Sequence, residues 1–376
     1  MSTESIAGSV RESFASRTPL RIAGGGSWLD AGRPVRAQHT LALRDEAGVT
    51  AYVPADLTIT VRSGTRLSDI EATTREKKQW LPLDAYGSPD GTIGATIATA
   101  SAGPLSSNFG LPRDLVLGLE FVNGRGEVVR AGGKVVKNVA GFDLSRLLTG
   151  SWGSLGVITE VTLRLYALPE VDRTFVVHLG GSEKQTTAFL RALVAAPLSP
   201  FAFLLVSASV ARALELGQDA IGLIRFGGNS AAVKAQAAGL TQIASTQEID
   251  SSNWLSLRGL EAGSHTSLRI SSLPQRIVAS AAQILSDDVS GVYTSIDPRR
   301  GVIRVVAGAI DGGDSSQEIA SGIERTESSE LAFEKLPAEL WPAMSRSVVA
   351  DPLSQGIKRA YDPHNILNPG ILGDLN

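Results

Sequence analysis

The sequence of 376 residues contains no cysteine, which excludes disulfides, thiolate chemistry and cysteine-ligated iron–sulfur clusters on this chain. Any such cluster belongs to a partner. Histidine is also scarce: the four present lie far apart in the sequence, and we expect no metal site from them. The net charge of −3 balances 35 basic against 38 acidic residues, which argues against a nucleic-acid footprint or an anionic-membrane binder.

Long apolar runs are missing too. No stretch reaches about 18 uninterrupted apolar residues, the length that indicates a membrane-spanning helix. Residues 1–18 lack the basic start and apolar core of a signal peptide. We therefore predict a cytoplasmic protein without a membrane span, whose membrane association, if any, is made through partners. The hydrophobic fraction of 43% nevertheless supplies material for real cores.

The pattern of residue types along the chain changes near residue 170. Before it, short strand-like runs alternate with glycine and proline; after it, strands and helices alternate with few glycines in the elements. The pattern predicts a first domain over residues 1–170, a separate α/β domain over 171–350, and a C-terminal segment, 351–376, that returns to the first domain. In the second domain, Ser182 and Gln185 form a capping-box pattern that predicts the start of a helix.

The first glycine-rich segment follows a predicted strand and consists of Gly24, Gly25, Gly26, Ser27 and Trp28. Consecutive glycines let neighbouring backbone N–H groups turn inward as an anion nest, and the hydroxyl of Ser27 adds a donor. A plain tight turn explains the glycines equally well. Trp28 either packs beside a ligand or fills the core. Neither of the common phosphate-binding motifs, G-x-G-x-x-G and G-x-x-x-x-G-K-[ST], occurs in the sequence, so another cradle is needed.

A second segment, residues 87–103, leads into a helix of small residues. Its candidate binding residues are Pro89, Gly91, Thr92, Ile93 and Gly94. Backbone N–H groups and the dipole at a helix start favour a phosphate. Close packing of the helix on a sheet selects the same small residues, and for this segment alone that explanation ranks slightly ahead.

A third segment enters a strand after a short helix for which Asp143 is a suitable N-cap. Glycines at three-residue spacing hold the backbone open beside that strand. The candidate binding residues here are Gly141, Asp143, Gly153, Gly156, Val157 and Ile158. Together, the three segments indicate an anionic cofactor much more specifically than any one of them.

In these segments the chain resembles the FAD-binding family typified by vanillyl-alcohol oxidase and p-cresol methylhydroxylase (PCMH), and within it the E subunits of bacterial glycolate oxidase. Ala23 stands where the family's first signature often has arginine, and Phe142 replaces a common tyrosine. The closing residues 362–370 match the family's C-terminal signature. The resemblance is strong over residues 20–170 and 355–372.

The resemblance implies an α+β fold: a two-subdomain PCMH-type FAD-binding domain with an α/β cap domain of antiparallel sheet plus helices. It implies that Gly24–Ser27 hold the FAD pyrophosphate and that Gly91–Gly94 approach the phosphates and the flavin. Gly153–Ile158 would contact FAD through the backbone, and Asn368 would lie near the isoalloxazine. Ser27 occupies the place where some relatives attach FAD through histidine, so we expect noncovalent FAD.

The resemblance also implies a glycolate oxidase or dehydrogenase complex that oxidises glycolate, a small 2-hydroxy acid, to glyoxylate. The partners would be a homologous catalytic flavin subunit and an iron–sulfur subunit. Catalytic relatives carry a His-x-Gly-Asp-Gly-Asn-x-His type segment that supplies a metal ligand, and this sequence has none. We therefore expect an accessory or electron-relay subunit and assign no catalytic residue.

Two alternatives stay open. One is a self-sufficient flavin oxidase or dehydrogenase of another alcohol or hydroxy acid, with His265 and Arg269 in its site; the other is a non-catalytic scaffold that has lost flavin. A surface position is the commoner explanation for a single histidine such as His265, and His364 fits a turn. Two explanations fit the remaining charged candidates equally well: they balance the charge of the cofactor, or they are solvated surface charges. These candidates are Arg113, Lys134 and Lys137.

Overall fold

The computed structural model describes residues 2–88, 90–133, 143–179, 182–286, 289, 291–308, 330–344, 347 and 349–374. Within them, the strands are β1 (Leu20–Ala23), β2 (His39–Ala42), β3 (Val49–Val53), β4 (Thr58–Arg62), β5 (Gln79–Trp80), β6 (Val116–Val122), β7 (Val128–Gly132), β8 (Val157–Arg164), β9 (Tyr166–Ala167), β10 (Val171–His178), β11 (Ala202–Val206), β12 (Ile221–Gly228), β13 (Thr246–Ile249), β14 (Thr266–Ser271), β15 (Val292–Asp297), β16 (Val302–Ala307) and β17 (Glu330–Lys335). The α-helices are α1 (Thr3–Ser16), α2 (Leu67–Arg75), α3 (Ile93–Thr99), α4 (Ser106–Phe109), α5 (Pro112–Leu115), α6 (Leu144–Leu148), α7 (Glu183–Ala195), α8 (Ala208–Ala213), α9 (Ser230–Ile243), α10 (Asn253–Gly259), α11 (Pro274–Ser286), α12 (Trp341–Met344) and α13 (Pro352–Tyr361).

Contacts along the chain define two compact units. Unit 1 comprises Met1–Ala102, Gly110–Leu168 and Ala338–Asn376, and unit 2 comprises Gly103–Phe109 and Pro169–Pro337. The domain boundaries predicted from the sequence were 170 and 350, whereas the contacts divide the chain after residues 168 and 337. The contacts also assign a short segment inside the first domain, residues 103–109, to unit 2.

Two interactions within unit 2 explain the position of that segment. The ring of Phe109 meets the ring of Phe201 edge-on, with centroids 4.9 Å apart, an arrangement that aromatic pairs favour. The guanidinium of Arg300 donates to the hydroxyl of Ser106 at 2.7 Å. Both partners come from distant parts of the sequence, so the local pattern could not indicate them.

The largest sheet of unit 1 is antiparallel and, among the described residues, has the strand order β3-β4-β8-β6-β7. Its buried face carries alternating apolar residues such as Val161 and Leu163, as expected for a half-buried strand. The small-residue helix α3 packs on this face through Ile93 and Ile97. Strands β6 and β7 pair as an antiparallel hairpin whose connection contains Asn123 and Gly124, a dipeptide that favours such turns.

A second layer of unit 1 joins both ends of the chain. In α1, Ile6 and Val10 lie four residues apart and are both fully buried, as expected for an amphipathic helix. Strands β1 and β2 pair in parallel. The N–H of Leu20 donates to the carbonyl of Ile366 at 2.7 Å, and Leu20 also bridges to Leu367. The C-terminal signature therefore lies beside β1, where the first glycine-rich segment begins.

Unit 2 has its own sheet and core. In the described residues the strand order is β13-β10-β12-β11-β15-β16-β14-β17, and every neighbouring pair is antiparallel. Ser182 caps α7 by accepting from the N–H of Gln185 at 3.3 Å, as its sequence pattern predicts. The sequence pattern did not indicate β2, β10, β13 or β17. Antiparallel sheets with separate packed helices confirm the predicted α+β class.

Candidate functional site

A cavity of about 100 Å³ lies in unit 1, where the end of β1, the helix α3 and the turn before β8 meet. Each of the three predicted glycine-rich segments contributes to its wall. The predicted cofactor residues that line it are Gly24, Gly26, Ser27, Trp28, Thr92, Gly94, Gly153, Gly156, Ile158 and Asn368. Ile22 and Asn368, which are 346 positions apart in the sequence, therefore share one cavity.

The first segment turns sharply and packs closely against the second. Gly26 has φ +86°, a left-handed conformation that favours glycine. A Cβ on Gly24 would lie 2.3 Å from the hydroxyl oxygen of Thr92, so only glycine fits without a shift. Trp28 lies against Gly87, where a Cβ would come within 2.7 Å of its indole nitrogen. Trp28 therefore both lines the cavity and packs on the protein.

Arg44 holds the same segment from outside the cavity lining. Its Nη2 donates to the carbonyl oxygen of Gly25 at 2.5 Å, which places a cation beside the proposed anion nest. Sequence reasoning missed this residue, because strand β2, which it follows, was not indicated by the sequence pattern either.

The start of α3 differs from the prediction in one respect. The N–H of Ile93 donates to the carbonyl of Thr65 at 2.9 Å, and the N–H of Gly94 donates to the carbonyl of Ser63 at 2.8 Å. These two amides are therefore already used within the protein and are not available to a phosphate while these bonds persist. Their role is to hold α3 against the turn after β4.

One face of α3 forms part of the wall. Ala95, Ala98 and Thr99 line the cavity at the i, i+3, i+4 spacing that places helical residues on one side. Sequence reasoning attributed these small residues to close packing alone. Their spacing was the signal that would have identified them.

Asn368 connects β1 to the third segment through its side-chain amide. Its Oδ1 accepts from the N–H of Ile22 at 2.7 Å, and its Nδ2 donates to the carbonyl of Trp152 at 2.8 Å. Gly153 has φ +68°, and a Cβ there would lie 2.9 Å from that Nδ2. Both ends of the amide are occupied by backbone groups, so its direct role is to position the cavity wall.

Replacing Asn368 with alanine is expected to destabilise unit 1, because the Ile22 N–H and the Trp152 carbonyl lose their partner. Asn365 is a matched control: it also has a left-handed backbone, φ +51° against +44° for Asn368, but makes no side-chain hydrogen bond within the described residues. Denaturant unfolding should show a cost for Asn368→Ala that exceeds the cost of Asn365→Ala by about 2–4 kcal/mol. Equal costs would mean that backbone conformation alone selects asparagine.

Other predicted residues do not line the cavity. Gly25, Gly91, Ile93 and Val157 belong to the same unit but are not among the lining residues. Asp143 is exposed and caps α6 by accepting from the N–H of Arg146 at 3.1 Å, which confirms its predicted capping role. The remaining candidates Pro89, Gly141, Lys134 and Lys137 lie outside the described residues.

Two further charged candidates are exposed. Arg113 lies on the surface of α5. His364 stacks on Phe14, with ring centroids 4.5 Å apart, and so belongs to the contact between α1 and the C-terminal segment. His364 does not line the cavity.

A buried ion pair, Lys358 with Asp362, is hydrogen-bonded to the third segment. Lys358 Nζ donates to the carbonyl of Ser154 at 2.7 Å, to Asp362 Oδ2 at 2.6 Å and to the carbonyl of Leu367 at 3.2 Å. Burial lowers the pKa of Lys358, and the carboxylate of Asp362 offsets only part of that effect. The ammonium group thus ties the C-terminal segment to the turn before β8.

Unit 2 contains a separate ion-pair network on β14, β16 and β17. Arg304 lies between Glu261 at 2.5 Å and Glu334 at 2.6 Å, and its side chain is only 7% exposed. Burial raises the pKa of Glu334, but Arg304 and Arg269 outweigh that effect and leave the pKa below its ordinary value. Arg269 lies 3.7 Å from Glu334, and His265 is exposed. The carboxylates therefore already compensate the arginines of this cluster.

Within the described part of the chain, no group of three or more histidine, aspartate and glutamate residues is arranged to hold a metal ion. The helices described there include none that is long and apolar enough to cross a membrane.

Comparison with known proteins shows which family and which named proteins parts of this chain resemble. Residues 1–132 match the family described as FAD binding domain. Glycolate oxidase subunit GlcE of Escherichia coli (strain K12) is 42% identical over 165 residues, which cover 43% of this chain and 47% of the relative. Glycolate oxidase subunit GlcD of Bacillus subtilis (strain 168) is 34% identical over 161 residues, 43% of this chain and 34% of the relative. The chain thus matches about half or less of the length of these relatives.

Solved structures show the same fold. Substrate-bound p-cresol methylhydroxylase has a TM-score of 0.74 at 16% identity, and covers 100% of this chain and 88% of its own. For 6-hydroxy-D-nicotine oxidase of Arthrobacter nicotinovorans, the TM-score is 0.69 at 18% identity, and the match covers 100% of this chain and 90% of that oxidase. The predicted PCMH-type fold is therefore confirmed.

The FAD binding domain match over residues 1–132 and the PCMH-type fold relate this chain to the FAD-binding flavoproteins of PCMH type. Its relatives with curated names include glycolate oxidase subunits. FAD is the cofactor.

The cavity fits part of a flavin nucleotide. Its wall is mostly apolar, includes the indoles of Trp28 and Trp152 with centroids 6.4 Å apart, and contains glycines at which a Cβ would collide with neighbouring protein atoms. Aromatic faces of this kind stack on planar heterocycles. A volume of about 100 Å³ is below the ~300–1,000 Å³ of typical ligand sites, so the cavity has room for only one portion of the dinucleotide.

Proposed function

We propose that this chain is an FAD-binding subunit of a hetero-oligomeric complex that oxidises glycolate to glyoxylate. It would bind FAD noncovalently and act as an accessory or electron-relay subunit. The observation that carries this proposal is the 42% identity to a named glycolate oxidase subunit. The cavity supports it, because all three glycine-rich segments, which are separate in the sequence, contribute to its wall.

The division of labour rests on what the sequence and unit 2 contain. The sequence has no His-x-Gly-Asp-Gly-Asn-x-His type segment, with which the catalytic relatives would bind a metal. In unit 2, Arg269 and Arg304 are already paired with Glu334, which limits their use in holding a substrate carboxylate. We therefore assign substrate oxidation to a homologous flavin subunit.

Bound FAD would be the acceptor of the two electrons that an alcohol loses when it is oxidised to a carbonyl compound. The residues of this chain would bind and orient the cofactor and shield it from water. Because the chain has no cysteine, an iron–sulfur centre that received the electrons would reside on a partner subunit.

An anaerobic titration of the purified chain with glycolate tests this proposal. Bound FAD is first quantified by absorbance; glycolate is then added to the chain alone and to the chain co-purified with its partners. We expect bound flavin that glycolate does not bleach in the isolated chain but bleaches in the complex. D-lactate, titrated in parallel, reports whether the complex accepts a larger 2-hydroxy acid.

The other outcomes of this titration would support one of the two alternatives, a self-sufficient dehydrogenase or a scaffold. Bleaching by the isolated chain would make it a self-sufficient dehydrogenase and overturn the accessory role. A substrate screen on that chain, with His265→Ala and Arg269→Ala variants, would then locate the site. A chain that binds no flavin, alone or in the complex, would be a scaffold.

A further inference from the structure

Two hydroxyl groups in the cofactor cavity lack hydrogen-bond partners. Ser63 and Thr92 both line the cavity, and each residue is only 1% exposed. Their hydroxyl oxygens are buried and have no partner among the residues that the structure describes. A buried polar group left unpaired costs about 1–3 kcal/mol, so such groups in a binding cavity indicate a missing ligand.

Neighbouring hydroxyls show that partners are otherwise found. The hydroxyl of Thr96 donates to the carbonyl of Thr92 at 3.1 Å, and that of Thr99 donates to the carbonyl of Ala95 at 2.8 Å. The hydroxyl of Ser154 donates to the carbonyl of Ser151 at 2.6 Å. Because Thr99 also lines the cavity, a position in the wall does not by itself leave a hydroxyl without a partner.

Thr92 is unusual for its position. It is the N-cap of α3, where the hydroxyl of threonine normally accepts from an N–H of the first helical turn. Here the side chain makes no such bond. Threonine at this position thus has a hydroxyl that neither caps the helix nor bonds to another described group.

Ser63 is equally well fixed and equally unpartnered. Its N–H donates to the carbonyl of Thr159 at 3.0 Å, and its carbonyl accepts from the N–H of Gly94. These bonds hold its backbone between β8 and α3 and leave the hydroxyl unused. No sequence motif pointed to this residue.

We propose that the hydroxyls of Ser63 and Thr92 hydrogen-bond bound FAD and replace the helix-start amides as the donors of the second segment. In the described wall, the charged side chain is that of Arg21, and its guanidinium donates to the carbonyl of Leu29. We assign the hydroxyls to uncharged oxygen or nitrogen atoms of the cofactor, on its flavin or its adenosine half. The assignment concerns cofactor binding and does not depend on glycolate as substrate.

The test measures FAD affinity without substrate. The purified full-length chain is stripped of flavin, and the dissociation constants of FAD and FMN are measured by fluorescence for Ser63→Ala and Thr92→Val. Each variant should bind FAD about 3- to 10-fold more weakly, the usual effect of one hydrogen bond. The melting temperature of the flavin-free protein should stay the same or rise, because an unpaired buried hydroxyl has been removed.

Ser151→Ala is the matched control. The hydroxyl of Ser151 is also buried without a partner among the described residues, but Ser151 does not line the cavity. Its removal should leave the FAD dissociation constant unchanged. A parallel loss of FMN affinity in the cavity variants would place the contact on the flavin half, and unchanged FMN affinity would place it on the adenosine half.

Unaltered FAD affinity in both cavity variants would overturn the assignment. So would a lower melting temperature of the flavin-free variants, because the hydroxyls would then be serving the fold. A wild-type chain without measurable FAD affinity would overturn it as well.

Discussion

Gly94→Ala is expected to leave the purified chain without bound FAD and to lower its free energy of unfolding by about 1–3 kcal/mol. A Cβ at this position would lie 2.6 Å from the Cβ of Ser63 and 2.9 Å from its carbonyl oxygen. The carbonyl belongs to a fixed backbone and cannot rotate away. Helix α3 would have to withdraw from β4, which breaks the Gly94 to Ser63 hydrogen bond and displaces one wall of the cavity.

Gly356→Ala is the control for this substitution. Gly356 lies inside helix α13 of the same unit, and a Cβ there would meet no heavy atom within 4 Å. Because glycine weakens a helix interior, alanine should stabilise the chain by about 0.5–1 kcal/mol. Flavin content by absorbance and unfolding by denaturant are measured for both variants. If Gly94→Ala retained FAD at wild-type occupancy, α3 would not be the rigid wall that we describe.

Lys358→Met should cause the second large effect, a loss of about 3–5 kcal/mol in the free energy of unfolding. The side chains of Lys358 and Asp362 are 6% and 0% exposed, so removing the ammonium leaves a buried carboxylate without its counter-charge. Asp362 still accepts from the N–H groups of Ile366 and Leu367. Those bonds do not replace the lost charge. The C-terminal segment that carries Asn368 should loosen, and FAD should dissociate more easily.

Arg75→Met provides the comparison. Arg75 and Glu71 also form an (i, i+4) ion pair on a helix of unit 1, but their side chains are 56% and 57% exposed. Water and salt screen such a pair, so its loss should cost about 0–0.5 kcal/mol. The double variant Lys358→Met/Asp362→Leu should recover part of the loss, since no buried charge remains. Equal costs for Lys358→Met and Arg75→Met would show that the buried pair contributes no more than a surface pair.

The local features of this protein followed from its sequence. The caps Asp143 and Ser182 depend on residues a few positions apart, and spacing and capping patterns describe such interactions. The glycine-rich segments were recognised for the same reason. Each is a short run whose backbone needs are visible in the residues themselves.

The tertiary structure decided which groups face the cofactor. Whether an amide at the start of α3 is available depends on the carbonyls of Ser63 and Thr65, which a distant strand brings to it. The same holds for Asn368, whose amide partners lie 346 and 216 residues away. A hydrogen bond is short-ranged, so its partner is fixed only when separate parts of the chain have packed together. The sequence by itself therefore determined the fold class and the location of the glycine-rich segments, and only the packing decided which hydrogen-bond donors remain unused in the cavity wall.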